Sequence, residues 1–292
     1  MKKLLLIINP CAGQKRANKY LTDIVGVFCA QNYECTVFVT AKRGDAAQKA
    51  YDCAKHFDFL VCIGGDGTFN EMLSGIWRAG ADVPVGYIPA GSTNDFANSL
   101  KLPKNILKAA ASAAQGREYP LDIGTFNGRC FSYVASFGAF TEASYSTPQQ
   151  AKNLLGHLAY ILQGIKDLPS IKPVRVHAET EKFVIDGDYV FGTVSNSTSI
   201  AGIVTLHDGL VDMSDGLFEL ILVKTPQNAV QLGNIIRAIQ THNLAAEEII
   251  FLKTARVLIE TQGCGWTLDG EYQAGCEKIE IINHHHAIRF IK

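Results

Sequence analysis

Short, unbroken apolar runs alternate with longer amphipathic stretches through the first third of the chain. Residues 4–8 (LLLII), 35–40 (CTVFVT), 59–63 (FLVCI) and 83–88 (VPVGYI) have the length and composition of strands, and the segments 15–31, 44–56, 94–100 and 104–115 read as helices. Strands that are apolar at every position, not at every second one, are covered on both faces. The pattern predicts a parallel, doubly wound, Rossmann-like α/β domain over residues 1–124. After about Leu121 the texture changes to short strand-like runs at 129–137, 174–178, 183–185, 189–195, 217–223 and 256–261, punctuated by glycines such as Gly187, Gly209, Gly216, Gly263 and Gly270. This predicts a mostly antiparallel β-sandwich domain over 125–277, interrupted by helices near 151–167 and 226–240. Strand-like pieces at 278–282 and 287–291 end the chain, and the segment 278–292 is expected as a separate piece that packs back on the first domain.

A chain of 292 residues suits two domains, with substrate bound in the cleft where they meet. With 47% hydrophobic and 19% charged residues the composition is globular. The net charge of -1, weakly positive in the front half and weakly negative behind it, lacks the dense basic patches of nucleic-acid binders. Eight cysteines stand singly, without CxxC pairs, which predicts reduced thiols in a cytoplasmic protein. The opening apolar run stops at Asn9-Pro10, short of a signal peptide, and no stretch approaches the ~20 apolar residues that cross a bilayer. Any membrane contact is expected to be peripheral.

The chemistry concentrates at strand ends. The run Phe59 to Ile63 passes into Gly64-Gly65-Asp66-Gly67-Thr68-Phe69-Asn70-Glu71, a glycine-rich turn that opens a helix. Glycines let backbone approach a ligand, and helix-start N–H groups attract an anion, so a phosphate chain fits there. Thr68 and Glu71 have the spacing of a capping box. Asp66 beside an anion site implies an intervening Mg²⁺ or a sugar hydroxyl. The turn is neither a Walker A loop nor GxGxxG. A second strand runs into Pro89-Ala90-Gly91-Ser92-Thr93-Asn94-Asp95-Phe96-Ala97, and the first ends in Asn9-Pro10-Cys11-Ala12-Gly13. Helix N-termini at the carboxyl ends of parallel strands form the usual nucleotide crevice of such a sheet.

GGDGTxNE at 64–71, NPxxG at 9–13 and PAGSTNDFA at 89–97 resemble the diacylglycerol kinase catalytic family, which includes sphingosine kinases and bacterial lipid kinases. The resemblance extends over nearly the whole chain. GGDG alone is shared with NAD kinases and phosphofructokinases, whereas the NDFA loop narrows the match to lipid kinases. Thr93 stands where most members have glycine. The resemblance implies an ATP- and Mg²⁺-dependent lipid kinase, converting diacylglycerol to phosphatidic acid, with ATP contacts from Asn9, Pro10, Cys11, Ala12, Gly13, Thr40, Gly65, Asp66, Gly67, Thr68, Phe69, Asn70, Glu71 and Thr93. Asp66, Asp95 and Asp122 are implied as a Mg²⁺-linked group. In Trp266-Thr267-Leu268-Asp269-Gly270-Glu271, Glu271 is implied as the general base for the lipid hydroxyl. The turn Asp208 to Glu219 reads by itself as an ordinary hairpin; the resemblance implies a structural Mg²⁺ held by Asp212, Asp215 and the Leu217 carbonyl. It also implies a lipid substrate at a membrane surface, transient membrane association of a cytoplasmic protein, and a homodimer. Phosphatidylglycerol, a sphingoid base or a polyprenol is an alternative acceptor, as is a soluble one such as NAD, and a non-catalytic lipid-binding protein is the rival from another class. The stripe Leu154, Leu155, Leu158, Ile161, Leu162, Ile165 is expected to be core or dimer contact, and His284-His285-His286 a surface strand feature.

Overall fold

The computed structural model describes residues 1–92, 94–138, 172–197, 199–200, 204–205 and 210–292. The chain divides into two compact units: Met1–Ile123 with His286–Lys292, and Gly124–His285. The expected terminal piece 278–292 is thus split at His285, because residues up to that point pair within the second unit. The apolar stripe at 154–165, Thr93 and Asp208 lie outside the described residues.

In the first unit, β1 (Lys2–Ile8), β2 (Tyr33–Val39), β3 (Phe59–Gly64) and β4 (Val85–Pro89) alternate with helices. The sheet order is β4-β3-β1-β2, and the chain's last strand adds its end beside β4. Each of these pairings is parallel, with Leu4 beside Cys35 and Phe59, Leu60 beside Val85, and Phe290 beside Val85. Leu4 to Ile8 and all of β3 are buried, as unbroken apolar runs require when both faces are covered. In edge strand β2, by contrast, no residue is buried, and Val37 and Val39 are exposed. The expected helix 15–31 is broken: a 3-10 turn at Ala12–Lys15 and the short α1 (Arg16–Lys19) precede α2 (Leu21–Cys29).

α3 (Asp45–Cys53), α4 (Asp66–Ala79), α5 (Asp95–Ser99) and α6 (Ile106–Gln115) complete this unit. Phe28 of α2 and Ala109, Ala110 and Ala113 of α6 pack on one core with Leu4, Leu6, Val61 and Ile63. Gly75 lets α4 close on α3, since a Cβ there would sit 2.2 Å from the Ala47 carbonyl oxygen. Phe69, Tyr87, Phe96 and Phe290 form a second cluster; the Phe69 and Tyr87 rings stack at 4.6 Å. Arg289 clasps Glu118 through two bonds of 2.9 Å, and Arg117 and Lys292 exchange backbone hydrogen bonds, fastening the terminal tail.

The second unit is antiparallel. Its strands are β5 (Glu118–Phe126, begun in the first unit), β6 (Arg129–Phe131), β7 (Val134–Gly138), β8 (Val174–Thr180), β9 (Val184–Ser195), β10 (Ser199–Ile200), β11 (Val204–Thr205) and β12 (Phe218–Lys224). After α7 (Ala229–Gln240) come β13 (Ile249–Thr254), β14 (Arg256–Thr261), β15 (Trp266–Leu268), β16 (Glu271–Gln273) and β17 (Lys278–Ile291). The long β9 pairs with β8 through its first half and with β7 and β12 through its second. It thereby merges two runs expected as separate strands. The expected strand 129–137 is conversely interrupted at Ser132-Tyr133, whose backbone N–H groups bind Asp269. Phe131, Phe137, Val176, Phe218, Val257, Trp266 and Ile281 fill the core of this unit, and α7 covers a second cluster with Ile235 and Ile239 on Phe191 and Ile221.

Candidate active site

Three loops converge at the carboxyl ends of β1, β3 and β4, and glycine is what allows it. Gly13 has φ +44°, and a Cβ there would lie 1.9 Å from the Ala90 carbonyl oxygen; one on Gly91 would lie 2.6 Å from Gly65 Cα. The loops therefore touch backbone to backbone. The amide N–H groups of Ala90 and Gly91 both donate to Gly64 O, and Asn9 Nδ2 donates to Thr68 Oγ1 at 3.0 Å.

Helix α4 starts at Asp66, with Gly65 as its N-cap and no side chain capping it. The capping box read from Thr68 and Glu71 is not formed, because the helix begins earlier and Thr68 already lies inside the first turn. Glu71 instead accepts a hydrogen bond from Gly44 N–H at 2.9 Å, anchoring the start of α3. An uncapped helix start keeps the positive end of its dipole available to phosphate. Asp66 is buried at this point. Its Oδ2 accepts the Asp95 N–H at 2.8 Å and its Oδ1 lies 3.2 Å from the Tyr87 hydroxyl, which is also 3.4 Å from Asn94 Oδ1. Asn94 reaches the left-handed region, φ 53°, and donates to Gly91 O at 3.0 Å, fixing the bend that aims Asp95 N–H at Asp66. Asp122, also buried, accepts the His286 N–H at 2.8 Å.

The other expected nucleotide residues are placed as follows. Asn9, Pro10, Cys11, Ala12 and Gly13 make the β1 loop, with Asn9 Oδ1 accepting from Cys11 N–H. Thr40 spends its hydroxyl on Ile8 O at 3.3 Å. Gly67 and Thr68 are in the first turn of α4, while Phe69 and Asn70 turn inward and are buried, so Phe69 offers a ligand backbone only. A cavity of about 220 Å³ opens beside the third loop, lined by Ser92, Asn94, Asn98, Lys104 and Ile106 among others. A larger one, about 290 Å³, lies in the second unit around Arg175, Asp186 and Gln231, and none of the candidate residues lines it.

In the second unit, Asp269 and Gly270 form a two-residue hairpin loop, both with positive φ, between the paired Leu268 and Glu271. Asp269 is buried and its carboxylate accepts from Ser132 N–H (2.6 Å), Ser132 Oγ (2.8 Å), Tyr133 N–H (3.0 Å) and Val134 N–H (2.9 Å). Burial pushes this carboxyl up while the four donors pull it back. Glu271 is 3.1 Å from Arg129, which also bonds Gln273 at 2.6 Å. One strap, residues 129–134, thus holds the hairpin on both sides.

The turn at 212–217 is tight, with Gly216 at φ +78°. Asp212 Oδ1 accepts from Ser214 N–H and Oγ, and Asp215 Oδ1 accepts from Leu217 N–H. Lys253 Nζ lies 2.9 Å from Asp215 Oδ2 and 3.6 Å from Glu219 Oε1. Glu219 is fully buried, neither of its oxygens receives a hydrogen bond, and burial pushes its carboxyl up to about 8 against the pull of Lys253. Two carboxylates, Asp215 and Glu219, face one ammonium, and Asp212 stands three residues before Asp215 in the same turn; carboxylate oxygens are the hard donors that a divalent cation takes.

Residues 3–126 match the diacylglycerol kinase catalytic domain. The chain is 33% identical over 293 residues to a diacylglycerol kinase of Bacillus subtilis (strain 168), covering 99% of this chain and 96% of that one. It belongs to the diacylglycerol kinase family. A diacylglycerol kinase of Staphylococcus epidermidis (strain ATCC 12228 / FDA PCI 1200) is 32% identical over 275 residues, covering 93% of this chain and 86% of the relative. The crystal structure of a diacylglycerol kinase from Bacillus anthracis str. Sterne superposes with TM-score 0.78 at 23% identity, covering 99% and 96% of the two chains, a likeness of fold. Membership makes this chain a phosphotransferase, a lipid kinase. Among the described residues no helix is long and apolar enough to cross a membrane.

Sequence reasoning missed Tyr87, Arg129, Glu219 and Lys253. Tyr87 left a trace, since a tyrosine in an otherwise apolar strand needs a partner for its hydroxyl. Arg129 and Glu219 are ordinary charged residues in strand-like runs, and Lys253 lies in β13, a strand that the sequence pattern did not mark.

Proposed function

We propose that this diacylglycerol kinase family member transfers the γ-phosphate of ATP to the hydroxyl of diacylglycerol, forming phosphatidic acid, with Mg²⁺ and at a membrane surface that it contacts peripherally. The observation that carries the reading is Asp66: a buried carboxylate at an uncapped helix start, gripped by the Asp95 N–H and the Tyr87 hydroxyl. An anion placed there needs a cation beside Asp66, which is what a metal-bound triphosphate provides. Bound ATP would supply the phosphoryl group and bound Mg²⁺ would offset its charge. The loops Asn9 to Gly13, Gly65 to Thr68 and Gly91 to Asn94 present backbone to the phosphates. Asp66, with Asp95 and Asp122, supplies the carboxylates for the metal. Glu271, oriented by Arg129, accepts the proton of the lipid hydroxyl and aligns it for attack. In the 212–217 turn, Asp212, Asp215 and the Leu217 carbonyl would hold a second, structural Mg²⁺.

The test is Mg²⁺-dependent transfer of labelled γ-phosphate to diacylglycerol in mixed micelles, beside phosphatidylglycerol, a sphingoid base and a polyprenol. Glu271→Gln should lower turnover by about 10²–10⁴, the range for a general base, with ATP affinity unchanged. Near-normal turnover would remove Glu271 from that role, and labelling of another lipid alone would reassign the acceptor.

A further inference from the structure

We propose that Lys253 is a built-in stand-in for the cation of the 212–217 turn: its ammonium holds Asp215 while the turn is metal-free, and a divalent ion binds by taking Asp215 from it and leaving Lys253 to Glu219. The inference rests on reading that turn as a metal site and adds two residues to it.

The strand register supplies the geometry. Glu219, two residues after Leu217, lies directly across from Lys253 in the β12–β13 ladder. The lysine is therefore bound to that site by the sheet, with its ammonium between two carboxylates. It is closer to Asp215, at 2.9 Å, than to Glu219, at 3.6 Å. The first distance is a charge-assisted hydrogen bond and the second is an ion pair without one. Glu219 is the side chain with the greater need, being fully buried with both oxygens lacking hydrogen bonds, while Asp215 is one quarter exposed. A carboxylate in that position is costly unless it is paired.

A movement of Nζ of under about 1 Å would bring Glu219 within charge-assisted bonding distance. What prevents it is the competing Asp215. A divalent cation drawn to Asp212, Asp215 and the Leu217 carbonyl repels the ammonium and removes that competitor, so binding of the ion and capture of Lys253 by Glu219 support each other. Lys253 thus weakens metal binding, and Glu219 limits the weakening by giving the displaced ammonium a partner. The two residues have opposite effects on metal affinity, although they form one cross-strand pair.

The experiment is titration calorimetry of MgCl₂ into the nucleotide-free full chain, with melting temperature followed in Mg²⁺ and in EDTA. Lys253→Met should bind Mg²⁺ about tenfold tighter, the worth of one charge-assisted hydrogen bond, and depend more on Mg²⁺ for its melting temperature. Glu219→Gln should bind several-fold more weakly, since the displaced lysine then has no acceptor of equal strength. The double variant Lys253→Met/Glu219→Gln leaves no buried carboxylate unpaired, so it remains informative if the single lysine variant folds poorly; it too should bind more tightly than wild type. Equal or weaker binding by the folded double variant overturns the proposal while the metal site stands. If wild type and the double variant both fail to bind Mg²⁺, and Asp215→Asn alters no melting curve in Mg²⁺, the metal reading falls and the proposal with it.

Discussion

Replacing Asp269 by alanine removes the acceptor of four hydrogen bonds at once. The three backbone N–H groups of Ser132, Tyr133 and Val134 and the Ser132 hydroxyl all point at that carboxylate at 2.6–3.0 Å. Each buried donor left without a partner costs about 1–3 kcal/mol. Water admitted to the space of the lost side chain recovers part of this, which places the expected loss at about 3–5 kcal/mol. Such a loss is a large fraction of the about 5–15 kcal/mol that a domain has in total. Asp269→Asn keeps one oxygen acceptor but turns an amide NH₂ toward the remaining donors, for an expected loss of about 2–3 kcal/mol. The reporter is already in the unit: Trp266 is fully buried and its ring lies against Phe126 and Phe137. In a Trp77→Phe background, urea unfolding followed by Trp266 fluorescence reads the second unit alone, and a change of midpoint at constant m gives the stability difference. The consequence for the proposed base is separate, since Glu271 stands two residues beyond Asp269 and its orientation depends on the same hairpin. A loss under about 1 kcal/mol for the alanine variant would refute the reasoning, because it would mean the donors find equal partners elsewhere.

Tyr87→Phe removes the hydroxyl beside Asp66 Oδ1 while keeping the stack on Phe69; turnover should fall about tenfold for a lost hydrogen bond to a charged group, and unchanged turnover in the labelled-phosphate assay would deny Tyr87 that part. Gly13→Ala drives a methyl to within 1.9 Å of the Ala90 oxygen in a left-handed backbone region, so ATP affinity by equilibrium binding should drop at least about tenfold, and wild-type affinity would show that the loops need not touch. The carboxyl of Glu118 is held low by its bonds from Arg289, and that of Glu260 by Lys278. Their contribution is present above the usual carboxylate range of about 4.3 and disappears as pH falls through the depressed folded values, so the melting temperature should decline on acidification from pH 6, less steeply in Arg289→Gln. Equal slopes would exclude the Arg289 pair as a source. His177 is raised by bonds to Asp186 and Glu179, so its contribution, full below about 6.5, is lost as pH rises through the folded value; His177→Gln should remove a small loss of melting temperature on that side.

The sequence by itself determined those features whose cause lies within a few neighbouring residues. Apolar runs such as Leu4 to Ile8 and Phe59 to Ile63 can only be strands covered on both faces, and they are. The glycines of the Gly64 to Gly67 turn mark a strand-to-helix passage, and Asp269-Gly270 supplies the positive φ values of a two-residue hairpin, so the strand-end loops and the hairpin bearing Glu271 were both legible. The first helix turn was misread at Thr68 and Glu71 because a capping box and a helix already under way share the same spacing. Tertiary structure alone decided the partners. Asp66 meets Tyr87 across 21 positions, Lys253 meets Asp215 across 38, Asp269 meets Ser132 across 137 and Arg129 meets Glu271 across 142. No local pattern encodes such pairs, because which carboxylate faces which donor depends on strand order and register, and those are settled by packing the whole unit.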